Sequence, residues 1–177
     1  MLILQISTIM QTLDAIKTRR SVRTYSPTQK LTPEQIAQVA EYWLYAPSAH
    51  NQQAWKYYII TKQEDLNFLW NLMERWKMIP TASWVILACF DENNIRSKEF
   101  IQQDMWASIE NIRLAAHEKW YWMVRVWTYP HEEPIKEIKK YFKLDENITP
   151  FAILPIGIPE WELMPKNLKI DWKIEIL

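Results

Sequence analysis

The chain has 177 residues, 21 Lys+Arg against 21 Asp+Glu, and one cysteine. That length fits one domain with a substantial core, the zero net charge argues against a general nucleic-acid or anionic-membrane surface, and a lone Cys89 excludes an intrachain disulfide framework. Its 11 tryptophans stand against a single glycine, Gly157, where an ordinary usage of roughly 7% gives about 12 glycines.

At the N-terminus, "MLILQISTIMQ" lacks a basic segment and a small-residue cleavage site, so it does not read as a signal peptide. Residues 1–9 read as a candidate extension, with Met10 a second candidate start. No apolar run has the length of a membrane span. With the single cysteine, this gives a cytoplasmic expectation.

Next comes "TLDAIKTRR", a short helix with Thr12 as its expected cap, and then "SVRTYSPTQKL", a loop. "TPEQIAQVAEYWLYA" is the clearest helix: Thr32 caps it, Pro33 takes the first turn and Gln35 completes a capping box. Ile36, Val39, Ala40, Trp43 and Leu44 repeat at helical spacing, and Pro47 stops the run.

"KYYIIT" reads as a strand. "EDLNFLWNLMERW" reads as a helix with Leu66, Leu69 and Leu72 or Met73 inward. "WVILACF" is a continuous apolar run expected of a central strand, with Cys89 a buried core thiol. "KEFIQQDMWASIENIRLAAHEK" is a long helix with Ile101, Met105, Ile109, Ile112 and Ala116 on one face. "MVRV" predicts a short strand, "EEPIKEIKKYF" a helix starting near Pro134, and "FAILPIG" another apolar strand. Residues 158–177 have no helical period and read as an extended C-terminal arm. There is no internal repeat, and helices with buried strands make a single α+β or α/β domain.

Two stretches carry chemistry. "RRSVRTY" places Arg19, Arg20, Ser21 and Arg23 where a helix gives way to a loop. Arginine offers a bidentate fork to phosphate and serine adds a hydroxyl. Read alone, the stretch is first a solvated basic turn. "APSAHNQQAW" follows a helix and leads into a strand. Its amide side chains carry both donors and acceptors and suit the polar edge of a planar heterocycle. Read alone, it is first a helix-ending turn with its amides in water.

Taken together, "AIKTRRSVRTY…LYAPSAHNQQAWKYYIIT" resembles the flavin-dependent nitroreductase family. "QDMWASIENIRLAAHEKWYW" resembles that family's central helix and "FAILPIGIP" its late strand, so the resemblance runs from about Leu13 to Pro159. It implies the α+β nitroreductase fold, a central mixed sheet flanked by helices, in a homodimer holding FMN at the subunit interface. By the same resemblance, Arg19 and Ser21 hold the FMN phosphate with Arg20 beside them. Arg23 lies near the N1–C2 carbonyl edge, where a cation stabilises the reduced flavin. Pro47, Ser48, Asn51 and Gln53 line the isoalloxazine, and the backbone at Val126 and Trp127 approaches N5. NADH or NADPH is the implied hydride donor, and a nitroaromatic, quinone or similar small molecule the acceptor, in a ping-pong cycle. No catalytic side chain is implied, because the cofactor does the chemistry.

Some positions depart from the family pattern. His50 stands where a small residue is common, and Ala54 replaces a frequent proline. The C-terminal arm lacks the arginine that often completes the phosphate site; Leu168 takes its place, with Lys166 or Lys169 as a substitute point charge. The missing arginine and Trp127 keep open a degenerate, non-catalytic flavin-binding member. Because nothing in the sequence selects among the family's reactions, another family chemistry such as reductive dehalogenation stays open too.

Aligned with the family pattern, Trp43, Trp76, Trp106, Trp120, Trp122, Trp127 and Trp161 fall where glycine is common. A glycine in place of Trp120 would suit a helix C-cap, and one in place of Trp127 would let backbone approach the flavin ring. Three explanations compete. The tryptophans fill core volume, they stack flat substrates, or the source genome reads UGA as glycine and a standard translation prints tryptophan.

Overall fold

The computed structural model describes residues 11–72 and 76–161. Its centre is a sheet in the order β1-β2-β5-β3, with β4 also paired to β5. The strands are β1 (Trp55–Ile60), β2 (Trp84–Asp91), β3 (Trp122–Met123), β4 (Val126–Trp127) and β5 (Ile148–Gly157). All these ladders are antiparallel, and an isolated bridge from Ser21 to Met123 adds a parallel contact. Every residue of β5 is buried, as are six of the eight in β2. Strands buried on both faces read as unbroken apolar runs, which is why "WVILACF" and "FAILPIG" were legible.

The helices are α1 (Thr12–Thr18), α2 (Pro33–Ala40), α3 (Gln63–Leu72), α4 (Ile101–Glu118) and α5 (Glu132–Phe142). In α4, Ile101, Met105, Ile109, Ile112 and Ala116 all face the core. Leu66 and Leu69 of α3 are likewise buried; Met73 lies outside the described residues. The capping box of Thr32 and Gln35 forms in full.

Three local expectations need correction. Gln11, not Thr12, is the N-cap of α1, and its side chain makes no cap bond. The helix after Pro33 is regular only to Ala40 and tightens into a 3-10 turn, Glu41–Tyr45. That change of period turns Leu44 outward, 52% exposed, because 3-10 geometry advances 120° per residue rather than 100°. "MVRV" is two short strands on β5 rather than one, offset by Val124 and Arg125. Of the arm, only its first residues are described: Tyr25 bridges Pro159, while Lys166, Leu168 and Lys169 lie outside the described residues.

The single glycine has a steric reason. A Cβ on Gly157 would sit 2.8 Å from a ring carbon of Tyr25. That buried tyrosine donates its hydroxyl to the carbonyls of Val22 and Pro155.

Burial pushes the ionisation of Cys89, Tyr25 and Tyr57 far upward. In the unfolded chain they ionise near their ordinary values, 9.0 for the thiol and 10.0 for the phenols. Their contribution is therefore complete below pH 9 and falls as pH rises, by about 1.4 kcal/mol per pH unit for each group. Cys89→Ala is expected to delay the alkaline fall in melting temperature by about one pH unit. Identical alkaline profiles for the two proteins would show that the thiol is not the first group to act.

Candidate active site on helix α4

The amide loop follows from the end of the α2 segment. Pro47 breaks the helix, and the chain then takes left-handed conformations at three non-glycine residues: His50 (φ 52°), Asn51 (φ 51°) and Gln53 (φ 46°). Such conformations cost on the order of 1–2 kcal/mol each, less for Asn. They persist because the loop is clamped. Ser48 Oγ accepts from the Gln53 N–H at 3.1 Å. Asp104 of α4, buried, accepts from the Ala49 N–H at 3.0 Å and from Gln52 Nε2 at 2.5 Å. The Gln52 side-chain oxygen Oε1 in turn accepts from the N–H groups of Arg96 and Ser97, at 2.9 and 3.0 Å. Gln52 is thus a buried amide whose donors and acceptor are all engaged. Asn51 and Gln53, the amides read as site residues, stay exposed.

The arginine motif is tied to the same helix further along. Arg19 Nε meets Glu110 Oε1 at 2.8 Å. Arg113, only 3% exposed, donates from Nη1 to Glu110 Oε2 at 2.7 Å and from Nη2 to Ser21 Oγ at 3.2 Å. Its Nε is buried without a hydrogen-bond partner. Burial, opposed by Glu110 and reinforced by Arg19 and Arg125, lowers the Arg113 pKa to about 10. Arg20 turns the other way, donating from Nη1 to the Thr18 carbonyl at 2.8 Å beside the end of α1. Arg23 is exposed.

Asp104, Glu110 and Arg113 therefore hold both sequence motifs on one helix. Sequence reading had placed the α4 core face but missed these three and Gln52. Gln52 lay within the amide motif and the other three within the stretch likened to the family's central helix, where a charged residue in an otherwise core-facing helix was the available signal.

Beyond the loop, Val126 is buried in its ladder with Ile153, while Trp127 is 49% exposed. Trp127 leans on Trp106, with ring centroids 5.1 Å apart, and the Arg125 guanidinium lies 4.4 Å over the Trp106 ring. Trp43 packs edge-on against Trp55, and Trp122 lies tilted against His117, with ring centroids 4.2 Å apart. Trp120 differs: it is 63% exposed and its φ is 59°. Among the described residues no group of three or more His, Cys, Asp and Glu is arranged to hold a metal, and no helix is long and apolar enough to cross a membrane.

The chain is similar to known proteins in both sequence and fold. The model of the nitroreductase family matches residues 16–80, which contain both motifs. A protein of Archaeoglobus fulgidus, provisionally named NADH dehydrogenase/NAD(P)H nitroreductase, is 33% identical over 151 residues, covering 85% of this chain and 86% of that one. A crystal structure from Clostridium acetobutylicum, provisionally named an NADH oxidase, superposes with a TM-score of 0.84 at 32% identity, over 92% of this chain and 98% of the other. A nitroreductase-like structure from Exiguobacterium sibiricum, solved in complex with FMN, has the same fold, with a TM-score of 0.80 at 20% identity over 95% of this chain and 98% of that one. A relative at 33% identity across most of both chains, and a family match over the two motifs, establish that this chain belongs to the nitroreductase family.

Proposed function

We propose that the protein is an FMN-dependent NAD(P)H oxidoreductase acting on a nitroaromatic, quinone or similar acceptor. The observation that carries this reading is the joint anchoring of both motifs on α4: Asp104 on the amide loop, Glu110 and Arg113 on the arginine motif. The residues fit the cofactor's two ends. A buried arginine with an orphaned Nε lies beneath Ser21 and marks a place that favours an anion. Amide side chains held on a rigid loop suit a heterocycle edge. When bound, FMN supplies two-electron chemistry, taking hydride from NADH or NADPH and returning electrons to the acceptor.

The protein's own part is to bind and orient. Arg19 and Ser21 would hold the phosphate, and the exposed Asn51 and Gln53, with Pro47 and Ser48, would line the ring. Arg23, and the backbone at Val126 and Trp127, complete the reading. Lys166 and Lys169 remain its candidate point charges in the arm. A homodimer is supported by apolar side chains standing out beside α1 and the 3-10 turn: Leu13, Ile16, Leu44 and Tyr45 are 52–77% exposed. Such a patch is what a subunit partner covers.

Trp127 favours the second reading, a degenerate member that binds flavin weakly, because a half-exposed indole at that position crowds the ring's approach. Titration by flavin fluorescence separates the two. The chain is expected to bind FMN saturably, and Trp127→Gly to bind it more tightly. No saturable binding by either protein would overturn the oxidoreductase reading.

A further inference from the structure

We propose that Arg113, braced by Glu110, is a positioning residue that makes the Ser21 seat selective for a phosphate monoester dianion over the corresponding neutral alcohol. The inference rests on the FMN reading above and assigns a residue to it that neither motif contains.

The argument begins with charge. Arg19 and Arg113 share one carboxylate, Glu110, through opposite oxygens at 2.8 and 2.7 Å. Two cations on one anion leave a positive excess, and one of the cations is almost fully buried. A buried cation without full compensation is costly, and a second anion repays that cost. The depressed Arg113 pKa, driven first by burial, reports the same deficit.

Geometry then places the missing anion. Arg113 Nη2 donates to Ser21 Oγ at 3.2 Å. A hydroxyl that accepts from a guanidinium turns its own proton to another acceptor. Ser21 is exposed while Arg113 beneath it is not, so that acceptor comes from the solvent side. Glu110 meanwhile takes the Nε edge of Arg19 and leaves its terminal nitrogens for a ligand. A phosphate dianion would receive the Ser21 proton and the Arg19 fork, both charge-assisted. Riboflavin's terminal hydroxyl offers one neutral oxygen and gains little from the excess charge. Arg113 does not need to touch the ligand; it acts through Ser21 and through the local field.

Affinities for FMN and riboflavin, measured by fluorescence titration without nucleotide, test this in the wild type, Arg113→Met, Arg113→Lys, Ser21→Ala and the Ser21→Ala/Arg113→Met pair. Removing a charge-assisted bond is expected to weaken FMN by about tenfold or more in Arg113→Met and to leave riboflavin within about twofold. Arg113→Lys, which keeps the charge without the fork, should fall between and serves if the methionine variant does not fold. The double variant should lose less than the product of the single losses, because the residues act together. Equal losses for FMN and riboflavin, or no loss of either, would overturn the proposal and leave the flavin reading intact. Failure of the wild type to bind either flavin would overturn both.

Discussion

Asp104→Ala is expected to lower the unfolding free energy by about 3 kcal/mol and to release residues 49–53. Asp104 is 5% exposed and accepts two hydrogen bonds from the amide loop. Hydrogen bonds to a charged acceptor are worth about 1.5–3 kcal/mol each. Its removal strips the Ala49 N–H of its acceptor and leaves Gln52 Nε2 with only a 3.4 Å contact to the Ser97 carbonyl. The left-handed residues His50, Asn51 and Gln53 then lose the clamp that offsets their backbone cost. Asp104→Asn keeps the shape and one acceptor, so about half the loss is expected. Urea denaturation gives the stability, and limited proteolysis around His50 reports the loop. A loss under about 1 kcal/mol with no new cleavage would show that the loop holds its form without α4.

Trp120→Gly is expected to do the opposite and stabilise the protein. Trp120 closes α4 in a Schellman motif: its N–H donates to the His117 carbonyl at 2.9 Å, and the Tyr121 N–H to that of Ala116 at 2.8 Å. The motif requires a left-handed residue there, normally glycine. A side chain at φ 59° costs about 1–2 kcal/mol. The indole returns little, being 63% exposed with one edge contact to His117. Glycine also lowers stability by about 0.5–1 kcal/mol through unfolded-state freedom, so the net gain is about 1 kcal/mol. That corresponds to a rise of about 2–4 °C in melting temperature. Trp120→Ala keeps the Cβ penalty and should not gain. A destabilised glycine variant would mean that the indole contributes more than its exposure suggests.

The same residue bears on the tryptophan surplus. Packing accounts for Trp43, Trp106 and Trp122, which lie against other aromatic rings. It gives no account of Trp120, whose backbone is that of a glycine. A genome reading UGA as glycine accounts for it and for the missing glycines together. Peptide mass spectrometry of the protein from its native cell would then find glycine at position 120; tryptophan there would contradict that explanation.

The fold was largely legible because its signals are local. Buried strands are continuous apolar runs, and α2 announces itself by a complete capping box. The break at Ala40 was not legible: the 3-10 turn that follows it packs against α4, distant in sequence, while the periodicity of Trp43 and Leu44 still pointed to helix. The site was half legible. The arginine and amide motifs are contiguous in sequence, so their residue types could be read. Asp104, Glu110 and Arg113 act on residues 52 to 92 positions away, and no local pattern marks such a pairing. Gln53 was singled out while Gln52, its neighbour, makes the buried contacts. Only the loop's backbone decides which amide turns inward.

The most direct test of the central claim separates the two halves of the catalytic cycle. FMN-loaded protein is mixed anaerobically with NADH, then with NADPH, and flavin absorbance is followed with no acceptor present. A nitroaromatic or a quinone is then added. The account predicts that a reduced pyridine nucleotide alone bleaches the bound flavin and that the acceptor alone restores its colour. Bound flavin that neither nucleotide reduces would contradict it and leave this chain a flavin-binding member of its family without the reductase activity.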